Sequence, residues 1–228
     1  MSTPDNFYQG RLYPFQDAVL ASVEKAGVDF YLTGGTALSR VYLRHRHSDD
    51  LDFFVNDAID FKEQVSRAVK SLKADGFSFQ IGATSDSFLR LNLEKEGVSL
   101  KVDFVNDVPS HVGGFESHAL FHRIDNWRNI LSNKICALSR LEAKDVADIL
   151  FLSSECRFNW EEIISESKEK DLWVEPLEVS KLIGEFPVEL FDSIKWINPI
   201  DKKHAMESLL QIQKDIFYGN DNSLCSLG

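Results

Sequence analysis

The hydrophobic pattern of the chain changes period several times before about residue 120 and then settles into one. Residues 14–26 open with Pro14 and carry Phe15, Ala18, Val19 and Val23 at helical spacing, which predicts an amphipathic helix. Phe30-Tyr31-Leu32-Thr33 is a short β-prone run stopped by Gly34-Gly35, after which Leu38, Val41 and Tyr42 share one face of a second helix. Leu51 to Val55 predicts another strand, and residues 60–75 a helix with Phe61, Val65, Ala68, Val69 and Leu72 on one stripe. Three more strands are expected at 77–81, 87–94 and 98–105, the last two joined through Lys95-Glu96-Gly97. Beyond residue 120 the spacing is helical: Ile130, Leu131, Lys134, Leu138, Val146, Ile149 and Leu150 across 127–152, then segments near 160–168, 176–184, 187–195 and 201–217. Pro176, Pro187 or Pro199 introduces several of these. The expectation is an α+β protein: a mixed-sheet core with helices packed on it over residues 1–122, followed by a helical domain over 123–228.

Composition narrows the class without changing this picture. At 228 residues with 43% hydrophobic side chains, the chain can bury a sizeable core. No apolar run approaches the roughly 18–20 residues of a membrane span. Met1-Ser2-Thr3-Pro4-Asp5-Asn6 lacks the basic-then-apolar pattern of a secretory signal, so a cytoplasmic protein with no membrane partner is expected. Cys136, Cys156 and Cys225 are odd in number and widely spaced, which points to reduced thiols rather than a disulfide or zinc framework. The formal charge of −11 argues against a protein that coats long nucleic acid, since phosphate neutralisation supplies most non-specific affinity. It leaves room for an enzyme that touches one RNA end, or for a basic protein partner.

The chemistry concentrates on three short stretches. Gly34-Gly35, between a strand and a helix, lets the backbone turn tightly and approach a ligand, with helical N–H groups facing any anion above it. In Asp50-Leu51-Asp52-Phe53 the strand period of two places Asp50 and Asp52 on one face and the apolar residues on the other. Two same-side carboxylates on an apolar strand repel each other unless a cation lies between them, and Mg²⁺ takes hard oxygens while sharing its shell with phosphates. A solvated strand end is the alternative reading. Lys101-Val102-Asp103-Phe104-Val105 embeds a third acid in an apolar strand. If that strand lies beside the first, Asp103 reaches the same site as a metal ligand or proton acceptor; an edge-strand aspartate is the alternative.

These spacings resemble the polymerase-β-like nucleotidyltransferase superfamily, whose signature is hG[G/S], a gap, DhDh and a later acid; the gap of 14 residues between Gly35 and Asp50 is slightly long for it. Leu32-Thr33-Gly34-Gly35-Thr36-Ala37-Leu38 and Arg46-His47-Ser48-Asp49-Asp50-Leu51-Asp52-Phe53-Phe54 are similar to the first two motifs of the AbiEii/AbiGii toxin family. Asn129-Ile130-Leu131-Ser132-Asn133-Lys134 resembles that family's lysine-bearing helix, and Arg140-Leu141-Glu142-Ala143-Lys144-Asp145-Val146-Ala147-Asp148 its R…KDxxD element. The likeness runs from about residue 30 to residue 152. It implies Mg²⁺ (or Mn²⁺) on Asp50, Asp52 and Asp103, with an NTP as substrate. It further implies Lys134 at the triphosphate or transition state and Asp145 completing the site. Gly34, Gly35, Thr36, Arg46, Ser48, Lys144 and Asp148 would contact the nucleotide. From spacing alone, Lys144 and Asp148 make a surface i,i+4 ion pair, and Asp148 could simply orient Lys144.

The expected activity is transfer of a nucleoside monophosphate from an NTP to an acceptor hydroxyl. The resemblance suggests RNA, such as a tRNA end, as acceptor, and a toxin role with an antitoxin partner. Two alternatives keep the fold: a non-catalytic nucleotide-binding or regulatory module, and a small-molecule nucleotidyltransferase of the antibiotic-modifying kind. Other features add little. His45 and His47 lack the further ligands a zinc site needs. Arg44, Arg46 and His47 form a basic patch that suits a phosphate or a solvated loop equally. Trp160, Trp173, Trp196, Phe186, Phe191 and Phe217 are expected to be helix-packing core.

Overall fold

The computed structural model describes residues 4–225. The chain forms two compact units: residues up to Tyr42 together with His47–Asn126 make one, and Leu43–Arg46 together with Trp127 onward make the other.

The first unit is a seven-stranded mixed sheet with helices on it. Its strands are β1 (Tyr31–Thr33), β2 (Leu51–Asn56), β3 (Phe79–Thr84), β4 (Phe88–Lys95), β5 (Val98–Asp107), β6 (Glu116–His118) and β7 (Phe121–Ile124), in the order β3-β4-β5-β2-β1-β7-β6. β2 runs parallel to β5 and antiparallel to β1, so the central strands are those on which the acids were expected. β2 alternates as its sequence requires: Leu51, Phe53 and Val55 are buried, and Asp52 and Asn56 lie on the other face. Leu89, Leu91 and Leu93 on β4 and Leu100, Val102 and Phe104 on β5 extend the same buried layer. Its centre is aromatic, with the Phe53 and Phe104 rings stacked 5.3 Å apart and Phe30 tilted against Phe104 at 5.1 Å. A fully buried Phe contributes about 1.5–3 kcal/mol relative to exposure, so these rings fix which face of the sheet is the core.

β4 and β5 meet at Glu96-Gly97, both in the left-handed region (φ 52° and 71°), a two-residue turn whose twist matches that of the strands. The helices of this unit are α1 (Pro4–Phe7), α2 (Tyr13–Lys25), α3 (Gly34–Ala37) and α4 (Phe61–Ala74), with π-helical stretches at Tyr8–Leu12 and Leu38–Tyr42. α2 and α4 are tied by the Ser71 hydroxyl, which donates to the Ser22 carbonyl at 2.6 Å. β6 and β7 were not expected; at three and four residues they are too short to show an alternation.

The second unit is helical: α5 (Trp127–Ala137), α6 (Ala143–Glu155), α7 (Trp160–Lys170), α8 (Pro176–Gly184) and α9 (Lys202–Tyr218), with 3₁₀ turns at Leu138–Arg140 and Val188–Ser193. The helical spacing read across 127–152 is interrupted at Leu141, whose φ of 53° ends one helix before the next begins. Asp201 caps α9 by accepting from the backbone N–H groups of Lys203 and His204, and Gly219 closes it in the left-handed region. Trp160 and Phe191 are core, as expected of them, but Phe217 is half exposed on the last turn of α9. Among the described residues the three cysteines form no disulfide, and no helix is long and apolar enough to cross a membrane.

Candidate active site

In the first unit, β1 ends at Thr33, and Gly34 turns the chain into α3 with φ +68°. Thr33 is the register partner of Asp52, so the turn passes directly over that carboxylate. A Cβ on Gly34 would stand 2.6 Å from Asp52 Oδ2. Both the backbone conformation and the close approach therefore demand glycine. Gly34→Ala is expected to cost about 1–2 kcal/mol from its left-handed conformation alone. It should also push the Asp52 carboxylate aside; thermal melting reads the first effect and nucleotide binding the second.

The Thr36 hydroxyl donates to the backbone carbonyl of Asp50, fixing the approach to β2. Asp52 and Asp103 are direct register partners across the parallel β2–β5 pair, which puts the third acid beside the second. Asp50 lies just before β2, two residues from Asp52. The three do not form a bare carboxylate cluster, and among the described residues no group of His, Cys, Asp or Glu is gathered as a metal cage. Two of the three carboxylates pair with cationic side chains. Arg90 spans both Asp103 oxygens, Nε at 2.8 Å and a terminal nitrogen at 2.7 Å. Lys101 Nζ sits 2.7 Å from Asp50 Oδ2. Hydrogen bonding to Asp103 raises the Arg90 pKa against the opposing effect of burial, with Asp103, Asp50 and Asp52 adding their charge. A single guanidinium thus lies in the field of all three acids. The three carboxylates supply hard oxygens of the kind Mg²⁺ or Mn²⁺ takes, with Arg90 and Lys101 as competing partners of two of them.

Sequence reasoning missed Arg90, yet a signal existed. The two-residue turn at Glu96-Gly97 pairs Lys95 with Val98, and counting outward along the hairpin pairs Arg90 with Asp103. It also missed the braces of the loop before β2. His47 stacks on Tyr8 at 3.8 Å, the Tyr13 hydroxyl lies 2.9 Å from His47 Nδ1, and the Tyr8 hydroxyl donates to Asp49 at 2.6 Å. Gln16 donates to the Ser48 carbonyl, leaving Ser48 buried. Beneath the glycine turn, the Thr33 hydroxyl donates to the fully buried Asp125 at 2.6 Å, and His111 reaches the other oxygen of that carboxylate at 3.1 Å.

The second unit gathers the remaining residues around Asp148, which is fully buried. Arg46 grips both its oxygens at 2.7 Å, His45 Nε2 lies at 2.8 Å and Lys134 Nζ at 2.8 Å. Lys134 also meets Asp145 at 2.7 Å, whose second oxygen takes Arg140 at 2.9 Å. Burial alone would raise the Asp148 pKa, but the Arg46 and Lys134 charges outweigh it and hold it well below the usual carboxylate range. Burial likewise opposes the charge on Lys134, and Asp148 and Asp145 overcome it, so its pKa is raised. Burial lowers the His45 pKa, giving a neutral ring that donates from Nε2 to Asp148.

Two expectations change here. Arg46 belongs to no open basic patch: it is 2% exposed, because its guanidinium compensates a buried carboxylate. Asp148 does not orient Lys144, which is exposed, since its oxygens are taken by His45, Arg46 and Lys134.

The fold sets acids on adjacent central strands. Two crystal structures share the fold: a candidate nucleotidyltransferase from H. pylori (TM-score 0.62, 20% identity, 95% of this chain and 96% of that one) and JHP933 from Helicobacter pylori (TM-score 0.59, 19% identity, 96% and 94%). A search of curated proteins finds no significant match. The family model described as "Nucleotidyl transferase AbiEii toxin, Type IV TA system" matches residues 18–174, and the chain belongs to that family.

Proposed function

We propose that the protein transfers a nucleoside monophosphate from an NTP to a hydroxyl of an RNA acceptor, such as a tRNA end, and acts as the toxin of a toxin–antitoxin pair. The observation that carries this reading is the register pairing of Asp52 with Asp103 directly under the Gly34 turn. Asp50, Asp52 and Asp103 would hold a divalent cation, which when bound supplies neutralisation of developing phosphate charge. The chain's own residues do the rest. Gly34 and Gly35 bring backbone close to the phosphates, Thr36 holds the Asp50 segment in place, and the Tyr8–His47 brace keeps Ser48 and Asp49 fixed. Lys134, Arg46, Asp145 and Asp148 are assigned to holding the helical unit together. The family's toxin description supports the toxin role, and with it an antitoxin partner.

Labelled NTPs with Mg²⁺ or Mn²⁺ and total tRNA test this directly, with small hydroxylated molecules as competing acceptors. Label in RNA with release of pyrophosphate is the expected result. Label only in small molecules would move the substrate class. The salt-bridged state of Asp50 and Asp103 favours one second reading, a nucleotide-binding module without turnover. Nucleotide binding without label in any acceptor would establish it.

A further inference from the structure

Resting on the metal-dependent reading above, we infer that Arg90 is a displaceable counter-ion: its guanidinium and the divalent cation are alternative partners of Asp103. β4 gives Arg90 no other face, because Leu89, Leu91 and Leu93 fill the core and its register places it opposite Asp103. Its two contacts use both oxygens of that carboxylate, so a cation cannot take Asp103 as a bidentate ligand while the pair is intact.

The pair is built to open. The Arg90 side chain is 38% exposed, whereas its partner is 8% exposed, so the arginine can leave towards solvent while the carboxylate stays. In the paired state the guanidinium already lies over the Phe88 ring at 5.4 Å, a cation–π contact on the same strand. The bidentate geometry makes the pair a firm one, but a divalent ion brings twice the charge to the same oxygens. The contrast with Arg46 and Asp148 is sharp: that pair is 3% and 0% exposed and has no solvent side.

The exchange has a consequence for binding order. A bare cation that takes both Asp103 oxygens must displace Arg90 without return, whereas a cation that arrives with a triphosphate brings oxygens suited to the freed guanidinium fork. Metal and nucleotide therefore bind with positive coupling.

Mn²⁺ binding followed by electron paramagnetic resonance, with no turnover required, tests this on the full chain. Arg90→Met should bind Mn²⁺ about tenfold more tightly than the native protein. Arg90→Lys, which keeps the charge but cannot span both oxygens, should fall between them. A non-hydrolysable NTP should tighten Mn²⁺ binding more in the native protein than in Arg90→Met. If the native protein binds Mn²⁺ and neither variant binds it more tightly, the inference is overturned while the metal reading stands. If none of the three binds Mn²⁺, with or without nucleotide, both fall.

Discussion

Asparagine in place of Asp52 is expected to lower nucleotide transfer by at least about 10²- to 10³-fold, the range that follows loss of one preorganised charge-stabilising group. Asp52 is central on three counts. It faces the glycine turn, it is the register partner of Asp103, and it lies on the polar face of a strand whose other face is core. Asparagine keeps the shape and removes the charge, so the Gly34 approach stays filled and Phe53 stays buried. Incorporation of labelled NTP should collapse while thermal melting moves little. Activity within a few-fold of the native protein would remove Asp52 from the chemistry and leave the metal assignment without its centre.

The second large effect is on stability. Asp148→Ala should destabilise the helical unit by about 3–5 kcal/mol, because it takes the central carboxylate from the buried Arg46 guanidinium and leaves Lys134 with Asp145. All four tryptophans, Trp127, Trp160, Trp173 and Trp196, belong to that unit, so fluorescence during urea unfolding reports on it. The network also sets a pH window. Asp148 has a folded pKa below its ordinary value of 3.8, so its contribution is present above that value and is lost as pH falls through the folded one. Lys134 has a folded pKa above 10.5, so its contribution is complete below that value and is lost as pH rises through the folded one. Between these limits the network is intact, and the variant should lose the acid-side dependence. An unfolding midpoint equal to that of the native protein would mean that the cluster is ornamental.

Much of the candidate site was legible because its residues break a pattern. Asp52 and Asp103 each interrupt an apolar strand at the position where the period of two turns the side chain away from the core, and Gly34-Gly35 stops a β-prone run. What escaped was whatever depends on a partner far along the chain. Arg46 reads as a surface cation beside Arg44 and His47 until Asp148, 102 residues on, claims it. Lys144 and Asp148 read as a helix-surface pair, because spacing reports neighbours within a helix and is silent on which face the rest of the protein covers. The aromatic residues divided the same way: Trp160 was correctly placed in the core, and Phe217, at the fraying end of α9, was not. Short strands such as β6 lack enough residues for any period to emerge.

The detour of Leu43–Arg46 into the helical unit, just before the strand that carries Asp50 and Asp52, also bears on how the chain is born. During synthesis Arg46 leaves the ribosome 102 residues ahead of its carboxylate. At roughly 5–20 residues per second, that is a wait of about 5–20 s. For that interval His45 and Arg46, destined for burial, stay wet while the strands are being made. A ribosome that stalls between the sheet and α6 would release a chain whose strands are complete and whose arginine lacks its aspartate. A fragment begun at Trp127 has the converse defect, an aspartate that keeps Lys134 and loses its two other partners.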